Sequence, residues 1–309
     1  VRLYNRKAEL VVYANDGTQA QAVDLSGLDF SFTVTAKLPE RKNKKNKTNP
    51  VLATVDVMKL SETTRNKIKA SDTGVKISFG YGDEMFEMFE GPVVNIVNEY
   101  SAPDWTTKIF AKHAWEAYKE SYFSRSYKKD ASVKAIINDV AGSFGLPFVN
   151  HYDGTATLLA GTVFDGESKD VMDKLAGDYG LSWEIAGNTV TVTDVYNPPL
   201  VDRTRVAVLG PSILSGPIIE ESLVNEKKRN EKVVRRIRVT SMLLPYIYPG
   251  VPIQFKDPLF RRQYSNIATR KLRDADDNAI YIVDEVTHRG SSMAKDQCVT
   301  EIITKEERL

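Results

Sequence analysis

Cysteine is nearly absent: Cys298 stands alone in 309 residues, which excludes an intrachain disulfide and a cysteine-only zinc site. Histidine is scarce too. His113, His151 and His288 are the three present; none falls in an HExxH or other close ligand spacing, so they read as structural. No apolar run reaches the length of a membrane span. The opening "VRLYNRKAELVVYAND" has no apolar stretch of signal-peptide length before charges resume. An excess of one charge is missing as well: 42 Lys and Arg face 41 Asp and Glu, whereas a protein that coats phosphate backbones carries a clear basic surplus. "GYGDEM" departs from the dinucleotide fingerprint, and no glycine-rich loop ends in GK[ST]. No GxSxG elbow, cysteine-nucleophile motif or kinase signature occurs. These absences predict a soluble protein made in a reducing cytoplasm, with no cofactor or metal; acids are plentiful, and no carboxylate pair is singled out as catalytic.

What is present is mostly strand. "AELVVYA", "QAQAVDL" and "LDFSFTVTA" are separated by Asp16-Gly17 and Ser26-Gly27. In the third of these, Leu28, Phe30, Phe32 and Val34 alternate with polar or small residues, which puts one face on a core. Val51, Ala53, Val55 and Val57 do the same farther on. Ser61 is placed to cap a short helix, "SETTRNKIKA". "GVKISFGYG", "MFEMFEGPVVNIVNEY" (broken at Gly91-Pro92) and "TTKIFAKHA" complete a strand-rich unit over residues 1–115, which reads as a barrel.

Residues 116–197 change character. Asp130 or Ser132 caps a helix whose apolar positions, Val133, Ile136, Ile137, Val140 and Phe144, follow helical spacing. Gly145 ends it as a left-handed C′ residue. The pattern then recurs: "DVAGSFGLPF" (139–148) aligns with "KLAGDYGLSW" (174–183), which sets Gly180 against Gly145. Each helix is expected to lead into a hairpin, turning at Asp153-Gly154 and at Gly187-Asn188. Two copies are too few for a solenoid, so an inserted α/β domain with two helix-hairpin repeats is expected. "NPPL" (197–200) reads as a linker, and 198–309 as a second β-rich unit. The fold class is α+β, mostly β.

Two basic stretches stand out. "PERKNKKNKTNP" (39–50) carries Arg41, Lys42, Lys44, Lys45 and Lys47 between two prolines. It reads as an exposed, mobile hairpin loop. Without interleaved aromatics it offers no platform for stacking bases, and a salt-sensitive contact with an acidic protein surface suits it better. "EKKRNEKVVRRIR" (226–238) would point Arg236 and Arg238 to one strand face, with Val233, Arg235, Ile237 and Val239 on the other. "DADDNAIYIVDE" (274–285) puts Asp274, Asp276, Asn278 and Glu285 at calcium-loop spacing. Its turn position is Ala279 rather than glycine, and a strand follows, so it reads as an acidic turn.

The order of elements adds a resemblance. A strand ending in "VMKLS", the helix "ETTRNKIK", then "GVKISFGYGDE", "MFEGPVVNIV" and "DWTTKIFAKHAWEAY" precede the capped helix "SVKAIINDVAGSFGL". "YPGVPIQF" and "YIVDEVTHRG" close the chain. This order resembles the baseplate hub proteins of contractile-tailed phages, of the late-control type, which are related to the hub part of type VI secretion spikes. The resemblance implies two tail-tube-like β-barrels flanking the insertion. It also implies a homotrimer whose six barrels form a pseudo-sixfold ring between a hexameric tail tube and a trimeric central spike, beside other baseplate proteins. The place implied is the virion tail, assembled in the host cytoplasm, with DNA at most passing through the lumen. The basic loop is not explained by the family pattern, and no fused lysozyme segment is visible. The rival readings are a tail-associated cell-wall hydrolase and a nucleic-acid-binding module using 39–50 and 226–238.

Overall fold

The computed structural model describes residues 5–15, 20–42, 45–47, 50–68, 73–186, 188–194, 206–210, 212–225, 231–255, 263–265, 272–274 and 280–306. The first third holds β1 (Arg6–Asn15), β2 (Ala20–Asp24), β3 (Phe30–Lys37), β4 (Glu40–Lys42), β5 (Lys45–Lys47) and β6 (Leu52–Met58). It continues with α1 (Glu62–Lys67), β7 (Gly74–Tyr81), β8 (Glu84–Ser101) and β9 (Asp104–Lys112). On β3 and β6 the alternation is realised in burial: Phe30, Phe32, Val34, Ala53, Val55 and Val57 are buried. Ser61 caps α1, its side chain accepting from the Thr64 N–H, which satisfies one of the helix's free donors.

β8 does not break at Gly91-Pro92. Its first half pairs with β7 as far as Gly74↔Pro92, and its second half pairs with β9 from Val93↔Ala111. Proline cannot donate to a ladder, and here it marks the point where the strand changes partner. The sheet therefore turns back on itself. β1 and β7 come to face β3 and β6 around a shared core, where Phe32 and Phe79 meet edge-on with centroids 6.1 Å apart.

The last third supplies β15 (Ala207–Leu209), β16 (Ile213–Asn225), β17 (Glu231–Met242), β18 (Pro252–Phe255), β19 (Gln263–Ser265), β20 (Leu272–Asp274), β21 (Ile280–Ser291) and β22 (Val299–Glu306). The order β16-β17-β22-β21-β3-β6-β9-β8-β7-β1-β2 runs through one 13-stranded sheet that also takes in β15 and β18. β21 and β3 form its seam, from Glu285↔Lys37 to Ser291↔Ser31. The outer units, which read as separate in the sequence, thus share backbone hydrogen bonds. Around the seam, Arg6 donates to the carbonyls of Met293 and Asp296, and Tyr81 donates to the Leu243 carbonyl at 3.0 Å. The segment after β17 bridges two cores: Leu243 belongs to the first, Leu244 and Ile247 to the core of the last third.

Between the outer units lie α2 (Trp115–Glu120), β10 (Tyr122–Tyr127), α3 (Val133–Ser143), β11 (Phe148–Asn150), β12 (Thr162–Glu167), α4 (Ser168–Tyr179), β13 (Leu181–Ala186) and β14 (Thr189–Asp194). The cap of α3 is Ser132, accepting from Ala135, and the five apolar positions read from its spacing are all buried. Their core is filled by Trp183, whose indole N–H donates to Asp173 at 2.6 Å.

The repeat is a helix followed by a strand, and only the second copy makes a hairpin. After α4, β13 pairs with β14. After α3, β11 lies parallel to β14 instead, and residues 156–158 turn back to hydrogen-bond with Asp130, Ala131 and Val133. The expected hairpin at Asp153-Gly154 is absent: β11 is the terminal strand of the sheet β11-β14-β13, and the chain after it packs back on the start of α3 instead of pairing with it.

Gly145 has φ +67° and Gly180 φ +74°, and the Gly180 N–H closes α4 on the Ala176 carbonyl. A β-branched residue resists that backbone conformation. Gly180→Val is expected to destabilise the middle unit by about 1–2 kcal/mol, seen as a lower thermal midpoint. An unchanged midpoint would contradict the capping role.

Candidate assembly surfaces

Within the basic run 39–50, the described residues 40–42 and 45–47 pair as the two arms of a hairpin. β4 pairs with β5 in the register Glu40↔Lys47, Arg41↔Asn46 and Lys42↔Lys45, and β5 runs alongside α4 of the same chain. Lys44 and the side chains of Arg41, Lys42, Lys45 and Lys47 lie outside the described residues. In the second basic stretch, residues 226–230 also lie outside them. On β17, Ile237 and Val239 are buried while Arg238 is exposed, the alternation expected from the sequence. For 274–285, residues 275–279 fall outside the described residues, and β21 runs as a strand from Ile280.

Among the described residues, no group of three His, Cys, Asp or Glu side chains could hold a metal ion. His288 is a structural tie. Its Nε2 lies 3.0 Å from the Ile247 carbonyl and its Nδ1 2.9 Å from Thr300 Oγ1, while the Leu244 N–H donates to the same hydroxyl. The neutral ring thus pins the bridging segment to β21 and β22. Burial holds its pKa down at about 4, against the bond to Ile247.

His113 sits differently. It stacks on Phe89 at 4.4 Å, and burial lowers its pKa to about 4, with Glu87 pulling the other way. Its buried Nδ1 has no hydrogen-bond partner. The ring forms part of the wall of two adjoining cavities, of about 560 and 280 Å³, which also share Glu87. The smaller lies where the three parts of the chain meet, with Ile185 and Glu184 of β13 facing Val51, Ile247 and Val286. Sequence reasoning missed this place. In "LSWEIAG", Glu184 alternates with buried Trp183 and Ile185, the pattern of an ordinary outward-facing polar residue.

Large apolar side chains are exposed in several patches. At the tip of the β8–β9 hairpin, Tyr100 (60% exposed) and Trp105 (42%) touch, and the Arg65 guanidinium lies 4.7 Å from the Trp105 ring. Tyr, Trp and Arg are the residue types that dominate binding energy at protein interfaces. Leu159, Val163 and Tyr122 are exposed on the middle unit, and Leu214 and Ile218 on β16. β16 and β2 are the two ends of the strand path.

No family model and no curated protein matches the sequence, but solved structures do. The chain matches the tail protein from Neisseria meningitidis MC58 at 11% identity and TM-score 0.56, over 97% of each chain. It matches the 43 kDa tail protein of prophage MuSo2 from Shewanella oneidensis at 10% identity and TM-score 0.59, over 96% of each. A component of the Escherichia coli type VI secretion system, itself structurally similar to the T4 bacteriophage tail proteins gp27 and gp5, matches at 10% identity and TM-score 0.56, over 91% of this chain and 74% of its own. Over nearly its whole length, this chain has the fold of phage tail proteins and of a type VI secretion component.

Proposed function

We propose that the chain is a structural hub subunit of a phage tail baseplate, working without catalysis. Three copies close into a ring that joins a hexameric tail tube to a trimeric spike. The observation that carries this reading is the match to two tail proteins over nearly the full length of both chains. The strand path supports it. On this reading the strands on either side of the β3–β21 seam act as two tube-like regions per subunit, and three subunits then present six. The ends of the strand path among the described residues, β2 and β16, and exposed aromatics such as Tyr100 and Trp105 are surfaces that cyclic assembly covers. The domain limits 1–115, 116–197 and 198–309 belong to this proposal, and so does a virion location.

The experiment is native mass measurement of the chain co-expressed with its tail tube and spike proteins. A complex with three copies is expected. A closed twofold dimer in that complex would contradict the proposal. Zymography on the purified chain checks the hydrolase alternative, and no clearing is expected.

A further inference from the structure

The basic hairpin joins two bodies. Its feet stand on the outer units: β3 ends at Lys37 and β6 begins at Leu52, and both strands belong to the 13-stranded sheet. Its second arm, β5, runs beside α4 of the middle unit. The middle unit is a body of its own, with a core that the described residues between Ala114 and Val192 build. The chain enters it at Ala114, which holds a left-handed conformation (φ +45°) that a residue with a Cβ adopts at a cost. Between the two bodies lies the cleft formed by the adjoining cavities. Lys37 and Val51, at the feet of the hairpin, line its smaller part together with Glu184 and Ile185 of β13. The hairpin therefore spans the cleft from one body to the other.

Charge gives this span its chemistry. The hairpin sequence sets Arg41, Lys42, Lys44, Lys45 and Lys47 against Glu40. Along α4 stand Asp170, Asp173 and Asp178, of which Asp170 and Asp178 are exposed. The lysines of this helix turn to their own unit. Lys169 pairs with Glu167 and lies over the Tyr118 ring, and Lys174 reaches over Phe164. A strand of cationic sequence thus lies along a helix that keeps its acids outward. Exposed ion pairs are individually weak and are screened by salt, which suits a contact that opens and recloses.

We infer that β4–β5 is an electrostatic latch. It holds the middle unit against the outer ones, and its release lets that unit turn about Ala114 and widen the cleft. The device lies within one subunit and stands or falls apart from the hub reading.

Nitroxide labels on Asp83→Cys and Lys129→Cys, exposed positions on the two bodies, report their separation by double electron–electron resonance. Cys298 is buried and stays unlabelled. A single narrow distance is expected at low salt. In about 1 M salt, where the screening length falls to about 3 Å, a second, broader population is expected. Replacing Arg41, Lys42, Lys44, Lys45 and Lys47 by serine should produce that broader population at low salt already. Asp170→Asn combined with Asp178→Asn, both outside the core, should do the same. A parent distance that salt leaves unchanged overturns the inference without recourse to any variant. A hairpin or α4 variant that keeps the narrow distance at low salt overturns it as well. Loss of the threefold complex beside an intact salt response removes the hub reading and leaves the latch.

Discussion

Gly290→Val is expected to destabilise the protein by about 3 kcal/mol, the upper range for overpacking a filled core. Gly290 sits on β21 directly opposite Phe32 of β3. A Cβ built on it would lie 2.3 Å from Phe32 Cζ and 2.5 Å from Cε1, inside any real contact distance. The ring has nowhere to go: Phe32 is 2% exposed and packs edge-on against Phe79. Relief requires either opening the seam between the outer units or withdrawing the ring from the first core, and burying a phenylalanine is worth about 1.5–3 kcal/mol. Urea unfolding should show a lower midpoint with an unchanged slope. Gly145→Ala makes a useful contrast, since a Cβ there meets nothing within 4 Å and only the positive φ is strained. A Gly290→Val protein as stable as the parent would mean that the β3–β21 pairing is not formed as described.

The second large effect is acid sensitivity. His288 and His113 have folded pKa values of about 4, below the ordinary 6.5. The folded state therefore binds fewer protons than the unfolded one. The stability each contributes is fully present above pH 6.5 and is lost as pH falls from there through 4. A shift of that size corresponds to about 3 kcal/mol per group. Asp173 works in the opposite sense. Burial raises its pKa to about 6, against the bond from Trp183, so its cost is relieved as pH falls from 6 toward 3.8; solvent screening of this partly exposed carboxyl makes the relief smaller than one histidine's loss. The expected net is a loss of stability between pH 7 and pH 4, led by the two histidines.

His288→Leu separates the contributions. At pH 7 it leaves the Ile247 carbonyl and the Thr300 hydroxyl without their partner and should cost about 2–4 kcal/mol. The same variant should lose about 3 kcal/mol less than the parent on going from pH 7 to pH 4, because the titrating ring is gone. Urea midpoints at both pH values decide the matter. An unchanged pH dependence would contradict the role given to the His288 network.

Strands and helices with a clean period were legible before any coordinates. The alternation in "FSFTVTA" and "LATVDVM" placed the β3 and β6 core faces, and "SVKAIINDVAGSFG" gave α3 with its Ser132 cap. Long-range choices were not legible. The seam joins positions such as Thr35 and Thr287, 252 residues apart, whose hydroxyls lie 3.4 Å from each other; no local period encodes that pairing. Gly91-Pro92 reads as a break by local chemistry, yet β8 uses it to change neighbours. The hairpin expected after α3 did not form: β11 found its partner in β14, more than forty residues on, and 156–158 bonded back to the start of α3, choices that no local turn signal encodes. The basic run offered charge and proline boundaries but no hint that β5 would lie along α4. The cleft was invisible for a related reason. Glu184, His113 and Ile247 come from three distant segments, and a partly buried acid looks in sequence like any other exposed one.

The central claim is that the chain acts as a threefold adaptor between a sixfold tube and a spike. Averaging of images of the intact tail tip, without imposed symmetry, tests it most directly. The account predicts three copies of this chain in one ring, each contributing two sheet regions joined at β3–β21, with the tube on one side and the spike on the other. Six copies in that ring, or a twofold arrangement, would contradict it.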